Sequence, residues 1–230
     1  MTTAQFHVQL ASEDALIVYA EADSIATSNG LIRALDGLIT AELGQVVIET
    51  TPSYGSILVR FDPYKTDHFH LRQKLKHLTS VCVCQEQTAE QLVTLPVYYS
   101  VESGPDLQRI AEFAGLSIEE VIEIHQAQVY QVFAIGFAPG FAYLGEVDPR
   151  LALPRLSTPR AQVPKGAVAI AERQTAIYPA PSPGGWNIVG LCPVDLFSPD
   201  SNCPMPYKVG DNVRFEAINK QEFIDLGGQL

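Results

Sequence analysis

Cysteine, tryptophan and positive charge are all scarce in this chain, and the shortages exclude several classes of function. Four cysteines (Cys82, Cys84, Cys192 and Cys203) in 230 residues make no disulfide framework. No second half-site stands at zinc-ligand spacing, so packing thiols are expected and no metal. Lys and Arg number 15 against 26 Asp and Glu, a net charge of −11 that repels nucleic-acid backbones and anionic membrane surfaces. No Lys or Arg precedes Arg33, so the basic start of a secretory signal is missing and a cytoplasmic protein is expected. Long apolar runs are missing too: the longest early one, Ala15 to Ala20, falls far short of a bilayer. What remains, 47% hydrophobic and 18% charged residues, is ordinary globular composition with enough length for one large domain or two small ones.

Residues 1–85 alternate strand and helix signals. The apolar runs Phe6 to Leu10 and Ala15 to Ala20 flank Ser12-Glu13-Asp14, a hairpin pattern. A helix follows over about residues 24–42, capped by Ser24 or Asp23, with Leu31, Leu35 and Leu38 on one face. Strands over Val46 to Thr50 and Ser56 to Phe61 surround a turn, and a basic helix spans about 66–78. Together these predict a small α+β, ferredoxin-like domain. His68, His70 and His77 fall on a solvated helix face. Val81 to Leu95 reads as the link to a second domain over residues 86–230, which opens with two helices. Gly104-Pro105-Asp106 starts the first and Gly115 ends it; Ser117 and Glu120 form a capping box for the next. His125 shares the apolar face of that helix with Ile118, Val121 and Ile122, either as a satisfied core histidine or as one facing a substrate. Beyond residue 128 short apolar runs alternate with Gly- and Pro-rich turns, and most of the sixteen prolines lie there. That texture predicts a mainly-β, closed or nearly closed barrel.

Three segments carry residues suited to chemistry. In Gly136-Phe137-Ala138-Pro139-Gly140-Phe141, Pro139 and Gly140 suit a type II turn, and the aromatics either wall a cleft or staple the turn. Next, Arg150, Arg155, Arg160, Lys165 and Arg173 place five of the fifteen basic residues within 24 positions. Prolines precede Arg155, Arg160 and Lys165, which stiffens their loop for holding an anion; pairing with Glu146, Asp148 or Glu172 is the alternative. Last, Tyr178 leads into Ser182-Pro183-Gly184-Gly185-Trp186, whose glycines permit either close backbone approach to a ligand or a tight turn. No phosphate-binding P-loop, dinucleotide fingerprint or G-x-S-x-G elbow appears. The residues alone point to an anion-binding barrel with an α+β companion.

These motifs, in this order, resemble the family of the 5-oxoprolinase component PxpB and the kinase inhibitor KipI, which is similar to allophanate hydrolase subunit 1. The carriers are Gly104-Pro105-Asp106-Leu107, the Gly136 to Leu144 segment, Pro154 to Gly166, Ile177-Tyr178-Pro179, Ser182 to Trp186 and Gly210 to Phe215. The resemblance implies a cyclophilin-like barrel over residues 86–230. It implies a subunit of an ATP-dependent enzyme that opens 5-oxo-L-proline to L-glutamate, silent without a larger PxpC/KipA-like subunit and a PxpA-like subunit. ATP would be a co-substrate, with Mg²⁺ accompanying it and a place at the subunit interface. Arg155, Arg160 and Lys165 would hold anionic groups of a small substrate, and His125 or Tyr178 would move protons. Gly136, Phe137, Pro139, Gly140, Gly184, Gly185 and Trp186 would line the substrate. A KipI-like inhibitor of a sensor histidine kinase and a carboxyltransferase or allophanate-hydrolase component are the alternatives. The family's usual Gly-Arg-Thr-Pro run reads Gly190-Leu191-Cys192-Pro193 here, so an arginine role at that point is absent.

Overall fold

The structure, a computed structural model, describes residues 5–82 and 91–230; Cys84 and most of the expected link lie outside them. The chain divides into two compact units, Met1–Thr88 and Ala89–Leu230.

In the first unit the order is β1 (Gln5–Ser12), β2 (Ala15–Glu21), α1 (Ile25–Leu43), β3 (Val47–Ser53), β4 (Ser56–Phe61) and α2 (His68–Val81). The strands lie antiparallel in the order β1-β2-β4-β3. Ser24 caps α1 by accepting from the Thr27 N–H at 3.1 Å, and Asp67 caps α2 by accepting from Phe69 and His70 at 2.9 Å. Period-two alternation turns Leu16 and Val18 of β2 and Ile57, Val59 and Phe61 of β4 inward. There they meet Leu31, Leu35 and Ile39 of α1 and Leu71, Leu75 and Leu78 of α2. The ββαββα order keeps one helical crossover, β2-α1-β3, and joins β1 to β2 and β3 to β4 by tight hairpins. Cys82 caps the C-terminal end of α2, with its Sγ 3.7 Å from the Leu31 carbonyl.

The second unit opens on β5 (Leu92–Tyr98), α3 (Leu107–Ala114) and α4 (Ile118–Ala127). It continues through β6 (Val129–Ile135), β7 (Ala142–Gly145), a 3-10 turn (Pro149–Leu151), β8 (Arg160–Val163), β9 (Ala167–Ala171) and β10 (Gln174–Ile177). β11 (Ser182–Gly184), β12 (Asn187–Leu191), β13 (Asn212–Ile218) and α5 (Lys220–Asp225) complete it. Seven strands run β6-β13-β5-β12-β9-β10-β7, and β7 pairs back onto β6 to close a barrel. All neighbours are antiparallel except β13 and β5, which makes the barrel mixed. The sequence pattern puts Leu92 to Leu95 in the link; these residues instead begin β5, recruited by β13 from far along the chain. A two-stranded ribbon of β8 and β11 stands apart from the barrel ladder.

Gly115 and the Ser117–Glu120 capping box separate α3 from α4 as expected. Strand β9 is buried at every position, so both of its faces are covered. Val168 and Ile170 pack with Leu107, Ile110 and Val121 of the helices. On the opposite face Ala167, Ala169 and Ala171 pack with Phe141, Tyr178 and Trp186. Methyl-sized side chains on that face leave room for the large rings, and those rings build the candidate site.

Candidate anion-binding site

His125 sits on the helix-covered face and is 1% exposed. Its ring stacks on Phe215 at 4.8 Å between centroids, with Tyr130 at 5.4 Å. Nδ1 lies 2.7 Å from the Tyr99 hydroxyl and Nε2 lies 3.1 Å from Thr175 Oγ1. Thr175 itself donates to the Ala169 carbonyl at 3.1 Å. The bonding therefore closes with Nε2–H donating to Thr175 and Nδ1 accepting from Tyr99, a neutral imidazole. Burial pushes the His125 pKa down to about 3, which agrees with that tautomer. With both nitrogens engaged inside the core, His125 is a structural residue, and the proton-transfer role considered above is corrected.

The five clustered basic residues separate in the same way. Arg150 bonds Asp148 through two nitrogens, each at 2.9 Å, and Arg173 reaches Glu146 at 2.9 Å. Lys165 pairs with Asp195, both side chains more than half exposed. Arg160 reaches Asp106 at 2.8 Å and the Trp186 carbonyl at 3.4 Å. Arg155 differs: its guanidinium stands 5.7 Å above the Trp186 ring, a cation–π contact that leaves the donors at the guanidinium edge available. The expectation of a pooled cationic loop is corrected, because acids from the start of α3 and from the 192–196 segment neutralise two of its members.

Around Arg155 the structure assembles residues from all three sequence segments. Phe141 packs edge-on against Tyr178 at 5.4 Å and Trp186 at 5.8 Å, with Tyr143 at 4.9 Å. Phe137 lies 5.2 Å from Phe141 and 6.4 Å from Tyr178. It is 65% exposed and holds a backbone φ of +76°, a left-handed conformation costly for an aromatic residue. The turn behind it is rigid: Gly140 at φ +85° completes the type II turn, with Phe141 N–H donating to Ala138 at 3.0 Å. Tyr207 Oη also donates to the Gly140 carbonyl at 2.8 Å. Tyr178 is buried, and burial raises its hydroxyl above the ordinary value, with the charges of Arg155 and Arg160 and a backbone bond to Trp186 opposing. It remains a neutral hydroxyl at neutral pH. Of the paired glycines, Gly184 is the one that sterics require, since a Cβ there would come within 2.5 Å of the Tyr178 oxygen. Gly185 contributes through its carbonyl, which accepts from Leu156 N–H at 2.7 Å.

The roles of two residues in this site carry no local signal in the sequence. Asp106 looks like a helix cap, yet it makes no side-chain cap bond; it accepts from Arg160 and, at 2.7 Å, from the Ile188 N–H. Asn187 is fully buried and donates to the Pro154 and Ile170 carbonyls at 3.1 and 3.0 Å, while Arg109 donates to its oxygen. Both depend on long-range contacts that no local pattern announces. Among the described residues no group of three or more His, Cys, Asp or Glu is placed to hold a metal ion. Burial lifts the Cys192 thiol to about 12, which keeps it an inert packing group. No helix of the described residues is long and apolar enough to cross a membrane.

Residues 6–207 match the family described as carboxyltransferase domain, subdomain C and D. A curated relative, the 5-oxoprolinase B subunit of Bacillus subtilis (strain 168), is 35% identical over 96% of this chain and 96% of its own. The crystal structure of TTHA0988 aligns at a TM-score of 0.76 and 34% identity, over 94% of this chain and 40% of that one. Kluyveromyces lactis urea carboxylase shares the fold, with a TM-score of 0.76 at 18% identity over 97% of this chain and 22% of its own.

Proposed function

The chain belongs to the carboxyltransferase subdomain C and D family, among relatives of the 5-oxoprolinase B subunit, and from that footing we propose that it is the corresponding component of a cytoplasmic, ATP-dependent 5-oxoprolinase. The observation that carries this reading is the 35% identity sustained over 96% of both chains. The reaction would open the lactam of 5-oxo-L-proline to L-glutamate, coupled to ATP hydrolysis, with PxpC/KipA-like and PxpA-like subunits completing the enzyme.

The site supports a part of that task. A lactam carboxylate wants a bidentate partner, and a guanidinium supplies two parallel donors. Arg155 is held for this by its neighbours on either side: Asn187 donates to the Pro154 carbonyl, and Leu156 N–H donates to the Gly185 carbonyl. The exposed Phe137 ring is a surface for the apolar edge of the substrate ring, with the Tyr178 ring edge-on to it at 6.4 Å. A triphosphate makes heavier demands. Four of the five local basic residues already have acidic partners within the chain, so these residues do not by themselves fit ATP and its Mg²⁺. We therefore assign the nucleotide to the interface with the larger subunit.

A carboxyl-transfer role is the second reading, favoured by the family match and the fold shared with urea carboxylase. The test is reconstitution. The purified chain alone should hydrolyse no ATP in response to 5-oxoproline, and addition of the two partner subunits should produce glutamate and ADP. A complex that is silent with 5-oxoproline but moves the carboxyl group of carboxybiotin to an acceptor, leaving biotin, would replace the first reading with the second.

A further inference from the structure

We propose that Arg109 and Asp106, neither of which lies against the Trp186 ring, are positioning residues that set how firmly Arg155 holds its anion. The inference rests on the reading that Arg155 receives the substrate carboxylate, and it adds a mechanism by which helix α3 controls that contact.

Arg155 lies in the loop between the 3-10 turn and β8, and loops keep a side chain in place only where their backbone is tied down. Three ties are visible. Pro154, just before it, gives its carbonyl to Asn187 Nδ2 at 3.1 Å. Leu156, just after it, donates to Gly185 at 2.7 Å. At the end of the loop Arg160 is anchored to Asp106 at 2.8 Å. Asn187 has no freedom left: its amide nitrogen donates to two carbonyls and its oxygen accepts from Arg109. Removing Arg109 leaves that oxygen buried without a donor, so the amide rotates or takes in water and its grip on Pro154 is lost. Asp106 works from the other side. One carboxylate oxygen takes Arg160 and the other takes the Ile188 N–H at 2.7 Å, which locks the start of β12 next to the ribbon of β8 and β11. Trp186 immediately precedes β12, so the same ties fix the ring on which Arg155 rests.

Arg109 is itself exposed at the surface of α3, so its loss removes no core volume. That makes it a usable probe, and Trp186 as the single tryptophan makes a local reporter. In the isolated full chain, acrylamide quenching of Trp186 fluorescence is measured for wild type, Arg155→Ala, Arg109→Ala and Arg109→Lys. In the reconstituted complex, KM for 5-oxoproline and kcat are measured for the same proteins. Arg109→Ala is expected to raise quenching in the same direction as Arg155→Ala and to raise KM about tenfold with a smaller change in kcat. Arg109→Lys, which still donates one bond, is expected to recover most of both losses. Should Arg109→Ala fold poorly, Asp106→Asn provides the second variant, since it keeps an acceptor for Ile188 while weakening the hold on Arg160. A lower melting temperature with wild-type quenching and wild-type KM in both variants would overturn the proposal. If Arg155→Ala itself left KM unchanged, the carboxylate reading would fall, while the quenching of Arg109→Ala would still decide the positioning claim.

Discussion

The second unit holds two aromatic nests on opposite faces of its sheet, each built around one basic side chain, and they differ in what satisfies that side chain. His125 sits among Tyr99, Tyr130 and Phe215, and its two ring nitrogens are met by Tyr99 and Thr175. Arg155 rests on Trp186 at the edge of the cluster formed by Phe137, Phe141 and Tyr178, and among the described residues it is this ring that faces its charge. The first nest is closed, neutral and complete. The second is open, charged and incomplete, with a strained exposed phenylalanine at its rim. Protein interiors do not leave polar groups unanswered, so incompleteness at the surface is where ligand chemistry is expected.

The largest effect is expected in the closed nest. His125→Ala removes a packed ring and strands the Tyr99 hydroxyl, which should cost about 3–5 kcal/mol in urea denaturation. Turnover per folded molecule in the reconstituted complex should be preserved; a variant of full stability and no activity would place His125 in the chemistry instead.

Acid separates the two nests further. The unfolded chain binds a proton on this histidine below pH 6.5, whereas the folded protein refuses it until about pH 3. The unfolded state thus holds more protons in that window, and stability falls as pH falls, by at most about 1.4 kcal/mol per pH unit from this one group. The stabilisation is complete above pH 6.5. His125→Gln should flatten the dependence of unfolding free energy on pH between 6.5 and 4.5; an unchanged slope would mean that the imidazole is protonated in the fold.

At the rim of the open nest the expected effect is smaller and inverted in sign from the usual rule. Because Phe137 sits at φ +76°, Phe137→Gly should be more stable than Phe137→Ala by about 1 kcal/mol. Both should raise KM for 5-oxoproline if the ring meets substrate. Alanine being the more stable of the two would remove the case for strain. Smallest of all is Lys165→Ala, since an exposed pair with Asp195 is worth under about 1 kcal/mol. A melting curve within about a degree or two of wild type is the expected result.

Much of the scaffold is legible in the sequence because its signals are local. The Ser24 cap, the Gly115 stop, the Ser117–Glu120 capping box and the Pro139-Gly140 turn are each written within a few residues. The barrel texture is legible for the same reason. What escapes depends on partners distant in the chain. Strand β5 lacks its own turn signals and is defined by parallel pairing with β13. The cationic loop looks pooled because the acid that neutralises Arg160 lies 54 positions earlier, and Asp195 also lies outside the loop. His125 offers two readings on periodicity alone, and only the positions of Tyr99 and Thr175 decide between them. The aromatic cluster is half legible: Phe137, Phe141, Tyr178 and Trp186 each stand in a marked segment, but nothing local says that the segments meet.

We propose that Arg155, among the five clustered basic residues, receives the substrate anion, and one measurement tests this directly. It is 5-oxoproline-dependent glutamate formation by the reconstituted complex, at substrate well below KM, for Arg155→Ala, Arg155→Lys and Lys165→Ala. Loss of a charge-assisted bidentate contact predicts about a ten- to hundredfold drop, or about 1.5–3 kcal/mol, for Arg155→Ala. Little rescue is expected in Arg155→Lys, and wild-type rates in Lys165→Ala. Full activity in Arg155→Ala beside a collapse in Lys165→Ala would contradict this assignment and move the anion to the other end of the loop.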